Sequence, residues 1–557
     1  MGEASHSHGR VNADCDVVVV GAGLGGVYAT YRLREQGLSV RGLEGAGGVG
    51  GVWYHNRYPG ARVDVESLYY CYYFSEALFR EWRWSERYAA QPELLAYIEH
   101  VADRFDIKRH FTFNSWLTHA QWDPAENHYR ILTSSGEQFT ARFIVMATGN
   151  LSRARKPDFP GLDDFRGQWV QTSHWPDPPV AIEGKRIGVI GTGASGVQAV
   201  PLLAEKASQL HVFQRTANYV VPAQNRPIDE AEHQAICDDF EAARARVFAC
   251  PQASPRLLRG ARATTEMSAA EQQAQLERHW AYGGHAMNTV FTDQGIDAAA
   301  NAIVAEFVRD KIRHIVKNPE TARMLLPHAY PIGSRRLGVG TDYYETFNRD
   351  NVTLVDIKRD PIVRITPEGI QTGQGHYDCD LIVFALGFHA FTGAIDVANI
   401  RNAEGLQPSD GWMRGPQTFL GLMTAGFPNL FLVTGPGSPS VLANMFSANE
   451  QHADFIAACI AHMDANGLKR IEPSRAAQAG WTAHVSDVAR ALLRLKVDNY
   501  MVHVNADDGS RQFIPYVGGF GRYVAHCDGV RGRDFEGFLF DGEREATGAQ
   551  PMQQAGA

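Results

Sequence analysis

The sequence predicts an α/β fold built on two parallel βαβ units, and three observations carry that expectation. Two glycine-rich turns recur in one chain, Gly21-Ala22-Gly23-Leu24-Gly25-Gly26 and Gly191-Thr192-Gly193-Ala194-Ser195-Gly196. Each is approached through a strand-like apolar run, at 16–20 and 186–190, and each opens a helix-forming stretch. A second strand-like run then follows each helix and stops at a charged residue, Glu44 in the first unit and Arg215 in the second. Strand, tight turn, helix and strand in that order make a βαβ unit. With glycines that let the backbone approach a pyrophosphate at the helix N-terminus, the two units read as Rossmann-like dinucleotide-binding domains.

The charge that ends each unit separates the two ligands. An acid at that place accepts hydrogen bonds from a ribose hydroxyl, whereas an arginine suits a 2′-phosphate. Gly21, Gly23, Gly26 and Glu44 are therefore expected to bind FAD. Gly191, Thr192, Gly193, Ala194, Ser195, Gly196 and Arg215 are expected to bind NADPH. A chain with both sites is wired as a flavoprotein that draws electrons from NADPH.

The remaining elements follow in order. Residues 1–14 are polar and expected to be disordered. The alternating segment 111–148 suggests a β-meander, closing on the buried run Phe143-Ile144-Val145-Met146. Residues 225–330, rich in Ala, Glu, Gln and Arg, read as a helical insert in the NADP domain. Strand signals return at 351–355 and 381–385. The expected division is 15–150 with 381–540 as the FAD-binding domain, 151–224 with 331–380 as the NADP-binding domain, and 541–557 as a flexible tail.

Bulk properties narrow the partners. At 557 residues the chain exceeds a single core. A formal net charge of −9 argues against nucleic acid and against a basic membrane patch. No leader-like or membrane-spanning apolar run is visible, so a cytoplasmic monomer or weak homo-oligomer is expected. The 7 cysteines are scattered, without metal or redox spacing. That removes flavin disulfide reductases, which need a cysteine pair beside the flavin, and no metal is implied.

Further along, Gly51, Trp53, Tyr58, Pro59, Gly60 and Asp64 fall on the pattern GxWxxxx[YF]PGxxxD. In this the sequence resembles the type I Baeyer–Villiger monooxygenases, which use FAD and NADPH. Similar blocks continue at Ala147-Thr148-Gly149, Phe213-Gln214-Arg215-Thr216 and Gly435-Pro436-Gly437-Ser438-Pro439-Ser440, so the resemblance spans roughly 15–540. The family's linker fingerprint FxGxxxHxxxW[PD] is met at Phe165, Gly167, Trp175 and Pro176, but Gln171 stands at its histidine. Leu386 and His389 also depart from the family's ATGFD block.

The resemblance implies roles for particular residues. Arg336 and Asp64 would be catalytic, the arginine reaching the flavin and the aspartate holding it. Val52, Trp53, Tyr70 and Leu117 would lie near FAD, and Arg215, Thr216 and Arg335 would grip NADPH. Ser440, Val441, Leu442 and Met445 would line the substrate cavity, with Tyr500 as an aromatic lid. The implied reaction inserts one atom of O2 beside a ketone carbonyl through a C4a-peroxyflavin, giving an ester or lactone. Heteroatom (sulfide or amine) oxygenation and uncoupled NADPH oxidation are the alternatives.

Overall fold

The structure, a computed structural model, describes residues 11–543. Cys15–Val20 is buried along its whole length and lies between two parallel neighbours, Val40–Leu43 and Gln138–Met146. A strand covered on both faces reads as an unbroken apolar run, which accounts for the four successive valines at 17–20. Leu24–Glu35 is the crossover between the first two strands. Its Tyr28 and Arg32 both reach Asp454 on the long helix Met445–Asn466. Beyond Gln138–Met146 the sheet runs antiparallel through His128–Thr133 and Leu117–Asp123, and Ile400–Arg401 then adds parallel to Leu117–Asp123. Leu430–Leu432 adds in parallel to Gln138–Met146.

The meander expected over 111–148 starts only at Leu117. Phe111–Thr112 instead joins the opposite edge, parallel to Val40–Leu43. Its phenyl ring lies over Gly42, where a Cβ would stand 2.3 Å from a ring carbon. Only a residue without a side chain admits that packing.

The second sheet is wholly parallel, in the order Val352–Asp356, Gln209–Gln214, Arg186–Ile190, Leu381–Phe384, Gln168–Gln171. Its membership moves an expected boundary. Leu381–Phe384, assigned by sequence to the first unit, pairs in register with Arg186–Ile190 on one side and Gln168–Gln171 on the other. All four of its side chains are buried, and Ile382 and Phe384 join Ile190, Phe213 and Ile370 in one cluster. The short apolar run fits a buried strand in either sheet, and the two flanking registers decide which. The fingerprint segment around Gln171 likewise supplies an edge strand of this sheet, Gln168–Gln171.

Between 225 and 330 lie the α-helices Glu230–Cys237, Phe240–Ala249, Ala269–Tyr282, Ala298–Ile315 and Pro319–Leu325. Four of them start on a side-chain cap, from Asp229, Ser268, Asp297 and Asn318. Such caps satisfy backbone donors that the first helical turn leaves free.

Of the N-terminus expected to be disordered and the tail expected to be flexible, 1–10 and 544–557 lie outside the described residues. Their inner margins are held in place, which corrects the expected limits. Asp14 accepts the backbone N–H and hydroxyl of Thr140, each at 2.8 Å. Asp541 accepts the backbone N–H of Lys469 and of Arg470.

Candidate active site

Both glycine turns are shaped by close approach. A Cβ on Gly26 would stand 1.7 Å from the Gly21 carbonyl oxygen, and one on Gly196 would stand 2.2 Å from that of Gly191. Each helix can leave its strand this tightly only because no side chain is there. At the N-caps Gly23 and Gly193 no side chain caps the helix, and neither first turn carries an acid. The positive ends of both helices are therefore free to receive an anion. Around Gly193 a Cβ would meet nothing within 4 Å. Free donors beside open space fit a pyrophosphate.

The strand ends complete each turn. Glu44 is buried, and its carboxylate accepts the backbone N–H of Ala22 at 2.6 Å and of Ala46 at 2.7 Å. That anchors it against the first turn with lone pairs to spare for a hydroxyl. Arg215 is exposed at the end of Gln209–Gln214. The Thr216 carbonyl accepts from the Thr192 hydroxyl at 3.4 Å, tying that strand end to the second turn. Ala194 and Ser195 open the helix Ala194–Lys206.

The segment after the first unit bridges to the second. Gly51 is the N-cap of the short helix Val52–His55 and faces Gly23 across the first turn. Trp53 Nε1 donates to the Tyr70 hydroxyl at 3.2 Å, and Tyr70 stands edge-on to Phe446. The Tyr58 hydroxyl donates to Gln198 Oε1 at 2.8 Å, and Gln198 Nε2 donates to the Arg62 carbonyl at 3.1 Å. A Cβ on Gly60 would lie 2.2 Å from the Gln198 carbonyl oxygen. Residues 58–62 thus dock directly on Ala194–Lys206 and carry Asp64 to the junction of the two units.

There Asp64 meets Arg336. The guanidinium grips the carboxylate as a fork, Nε to Oδ2 at 2.8 Å and Nη2 to Oδ1 at 2.7 Å, while Nη1 donates to the Val441 carbonyl at 2.9 Å. Burial opposes the charge on both partners. At Asp64 the neighbouring Arg336 and His285 outweigh it and hold the carboxyl well below its usual range. At Arg336 the Asp64 carboxylate outweighs it and raises the guanidinium pKa further. The pair is ionised. Tyr500, whose phenol burial pushes up against the influence of the neighbouring Arg336, stacks on Phe391 at 6.3 Å between centroids. Ser440 is buried, its hydroxyl accepting from Asn150 Nδ2 at 2.6 Å.

The structure thus gathers Asp64, Arg336, Val441 and Tyr500, with Ser440 adjoining them, and sets Tyr70 close enough for its phenol to feel both charges. Other expected residues sit apart from this group. Arg335 donates to the Asp498 carbonyl at 3.2 Å and stacks over the Tyr330 ring. Leu442 packs beside Phe391 and Met501, and Met445 against the main core. Leu117 is buried with Val20, Leu43 and Met146 behind the first turn. Leu386 packs on the second sheet's cluster. The His389 N–H donates to the Arg153 carbonyl at 2.8 Å, closing its loop onto residues 151–155. Gln171 Nε2 donates to the Arg155 carbonyl at 2.8 Å, so it holds the same stretch from the other side.

His285, Phe391 and Asn150 belong to the neighbourhood and were missed by sequence reasoning. His285 sits in a Gly-Gly-His turn of the insert with Nε2 3.2 Å from Asp64 Oδ2. No motif spacing links it to Asp64, because the contact depends on how the insert packs back. Among the described residues no group of three or more His, Cys, Asp or Glu could hold a metal ion, and no helix is long and apolar enough to cross a membrane.

The family model for pyridine nucleotide-disulphide oxidoreductases matches residues 15–238, the stretch that holds both glycine turns. A Baeyer–Villiger monooxygenase of Pseudooceanicola batsensis is 37% identical over 95% of this chain and 97% of its own length. Phenazine N-monooxygenase PhzNO1 of Lysobacter antibioticus is 38% identical over 94% of this chain and 96% of its own. Among solved structures, OTEMO in complex with FAD and NADP superposes with a TM-score of 0.91 at 37% identity, covering 95% of this chain and 100% of that one. Full-length likeness of this kind, on a chain whose two dinucleotide turns converge on a half-buried Arg–Asp pair, settles the family. The chain belongs to the Baeyer–Villiger monooxygenases.

Proposed function

We propose that this protein is an FAD-dependent NADPH monooxygenase that inserts one atom of O2 next to a ketone carbonyl, giving an ester or lactone. The observation that carries this reading is the Arg336–Asp64 fork at the meeting of the two units, with Val441 and Tyr500 on its other side. Gly21, Gly23, Gly26 and Glu44, with Gly51, Val52, Trp53 and Tyr70, would hold FAD. The second turn with Arg215, Thr216 and Arg335 would hold NADPH. When bound, these cofactors supply the electrons and the activation of dioxygen.

The protein's own contribution is electrostatic. Arg336 is a permanent cation, and Asp64 fixes its plane, so its donors need no reorganisation when negative charge develops nearby. A preorganised donor of this kind is worth about 2.7–4 kcal/mol of barrier. Ser440, Val441 and Tyr500 would border the ketone, with Leu442 and Met445 behind them. The seven free cysteines, none in a disulfide, suit a reducing compartment such as the cytoplasm. A net charge of −9 gives no attraction to nucleic acid, and a monomer or weak homo-oligomer would suffice for a site built within one chain.

The test is Arg336→Ala with a cyclic ketone and isotopically labelled dioxygen. The parent should place one labelled atom in the ester or lactone. The variant should still oxidise NADPH yet form about 100-fold less product. Unimpaired ester formation by the variant would remove Arg336 from the reaction. The N-monooxygenase relative favours one second reading, oxygen transfer to nitrogen, and an amine substrate in the same assay distinguishes it by the labelled product.

A further inference from the structure

Asp64 has a second basic neighbour besides Arg336, the imidazole of His285. We propose that His285 is a positioning residue for the Asp64–Arg336 pair: it holds the Asp64 carboxylate from the helical insert and becomes its partner when Arg336 turns toward bound cofactor or substrate. The movement of Arg336 rests on the monooxygenase reading, whereas the contact itself does not.

His285 Nε2 approaches Asp64 Oδ2 to 3.2 Å, the same oxygen that accepts from Arg336 Nε at 2.8 Å. The approach is within reach of an ion pair but off the line of a straight hydrogen bond, and Nε2 is buried without another partner among the described residues. Asn288 Nδ2 lies 3.5 Å from His285 Nδ1. An amide donating there leaves the ring proton on Nε2, the nitrogen nearer Asp64. Buried polar atoms are rarely left half-satisfied without a use, and Arg336 leaving Oδ2 is the event that would complete this bond.

The backbone fixes the ring at that spot. Ala269–Tyr282 ends at Gly283 and Gly284, with φ of +78° and +57°. A Cβ on Gly284 would come within 2.1 Å of the Tyr88 hydroxyl, and one on Gly283 within 2.7 Å of the Pro222 carbonyl oxygen. The turn accepts only glycines, so the insert delivers His285 to Asp64 by its covalent path.

The use of such a residue follows from partial burial. Withdrawing Arg336 would leave a half-buried carboxylate without its main partner, and His285 stands where it can replace that partner. The other titratable groups that Asp64 influences, the phenols of Tyr58, Tyr70, Tyr88 and Tyr500, are pushed up by burial and stay neutral. Among the described residues, Arg336 and His285 are the basic side chains within 4 Å of the Asp64 carboxylate.

Thermal unfolding of the FAD-loaded protein tests the exchange without turnover. In an Arg336→Met background, His285→Phe should lower Tm at least twice as far as it does in the parent, because His285 is then the carboxylate's remaining partner. His285→Gln, which keeps a donor, should recover at least half of that loss. Equal losses in the two backgrounds would overturn the proposal, and so would a Gln variant as impaired as the Phe variant. If the Phe variants do not accumulate, His285→Ala is read through the same cycle. With Arg336 present, His285→Phe should cut kcat for ester formation about tenfold while the KM for NADPH moves less than about threefold. Failure of the monooxygenase reading would abolish only this last readout and leave the Tm comparison standing.

Discussion

Two carboxylates in this protein, one half-buried and one fully buried, end in opposite charge states. Asp64 stays charged because Arg336 and His285 face it. Glu450, fully buried on Met445–Asn466, has Oε1 on the Tyr73 N–H at 2.6 Å and Oε2 without a partner, and burial pushes its pKa up from 4.5 to about 8. The folded state therefore keeps a proton that the unfolded chain releases above pH 4.5. Stability should fall as pH rises from there to about 8, by up to ~1.4 kcal/mol per pH unit from this group. Glu450→Gln should remove that slope and be more stable than the parent at pH 8, as urea titrations across the range will measure. A variant with the parental slope would contradict this assignment. Arg215 supports a second prediction at this scale. Arg215→Gln should raise the KM for NADPH roughly 10- to 100-fold, the worth of hydrogen bonds to a charged group, while leaving the KM for NADH nearly as it was. Arg215 was legible in the sequence because a strand end fixes its place. His285 was not, because its neighbour is chosen by tertiary packing.

At the scale of elements, charge again joins what the chain separates. Arg142, on Gln138–Met146, donates to Asp16 on the adjacent strand at 2.8 Å and to Asp464 on Met445–Asn466 at 2.6 Å, with its side chain 4% exposed. At Asp16 burial opposes ionisation, but Ser39 and Arg142 outweigh it and lower the pKa. A carboxylate so lowered contributes stability above its ordinary pKa and loses it as pH falls through the folded value. Arg142→Met should cost about 3 kcal/mol near neutrality, by stranding buried Asp16. It should also flatten the acid limb of the stability curve, which chemical denaturation at several pH values will report. The same elements mark where sequence reading ends. The valines of Cys15–Val20 announce a strand buried on both faces, and the glycine turns announce the crossovers. Nothing in Leu381–Phe384 says which of two sheets it enters, and the alternation at 111–113 does not exclude a parallel edge. Periodicity reports which faces are buried, whereas pairing partners depend on the long-range path of the chain.

At the scale of the whole molecule, two uncapped helix N-termini and a split site imply that the cofactors are part of the structure's stability. Gly23 and Gly193 leave helix N-termini with no side-chain cap and no acid in the first turn, and residues 58–62 press the first unit onto the second through Gln198. A dinucleotide in the first turn would satisfy those donors and brace the segment leading to Asp64. A ligand that binds only the folded state adds RT ln(1 + [L]/Kd), about 1.4 kcal/mol for each tenfold rise in free ligand once binding saturates. Stripped of FAD, the protein should therefore unfold at a lower Tm that climbs with the logarithm of added FAD. NADP+ should raise the Tm of the FAD-loaded protein again, and by less in Arg215→Gln than in the parent. Scanning calorimetry over a series of FAD concentrations measures both effects. A Tm indifferent to FAD would mean that the first turn is satisfied within the protein, and would remove it from the cofactor site.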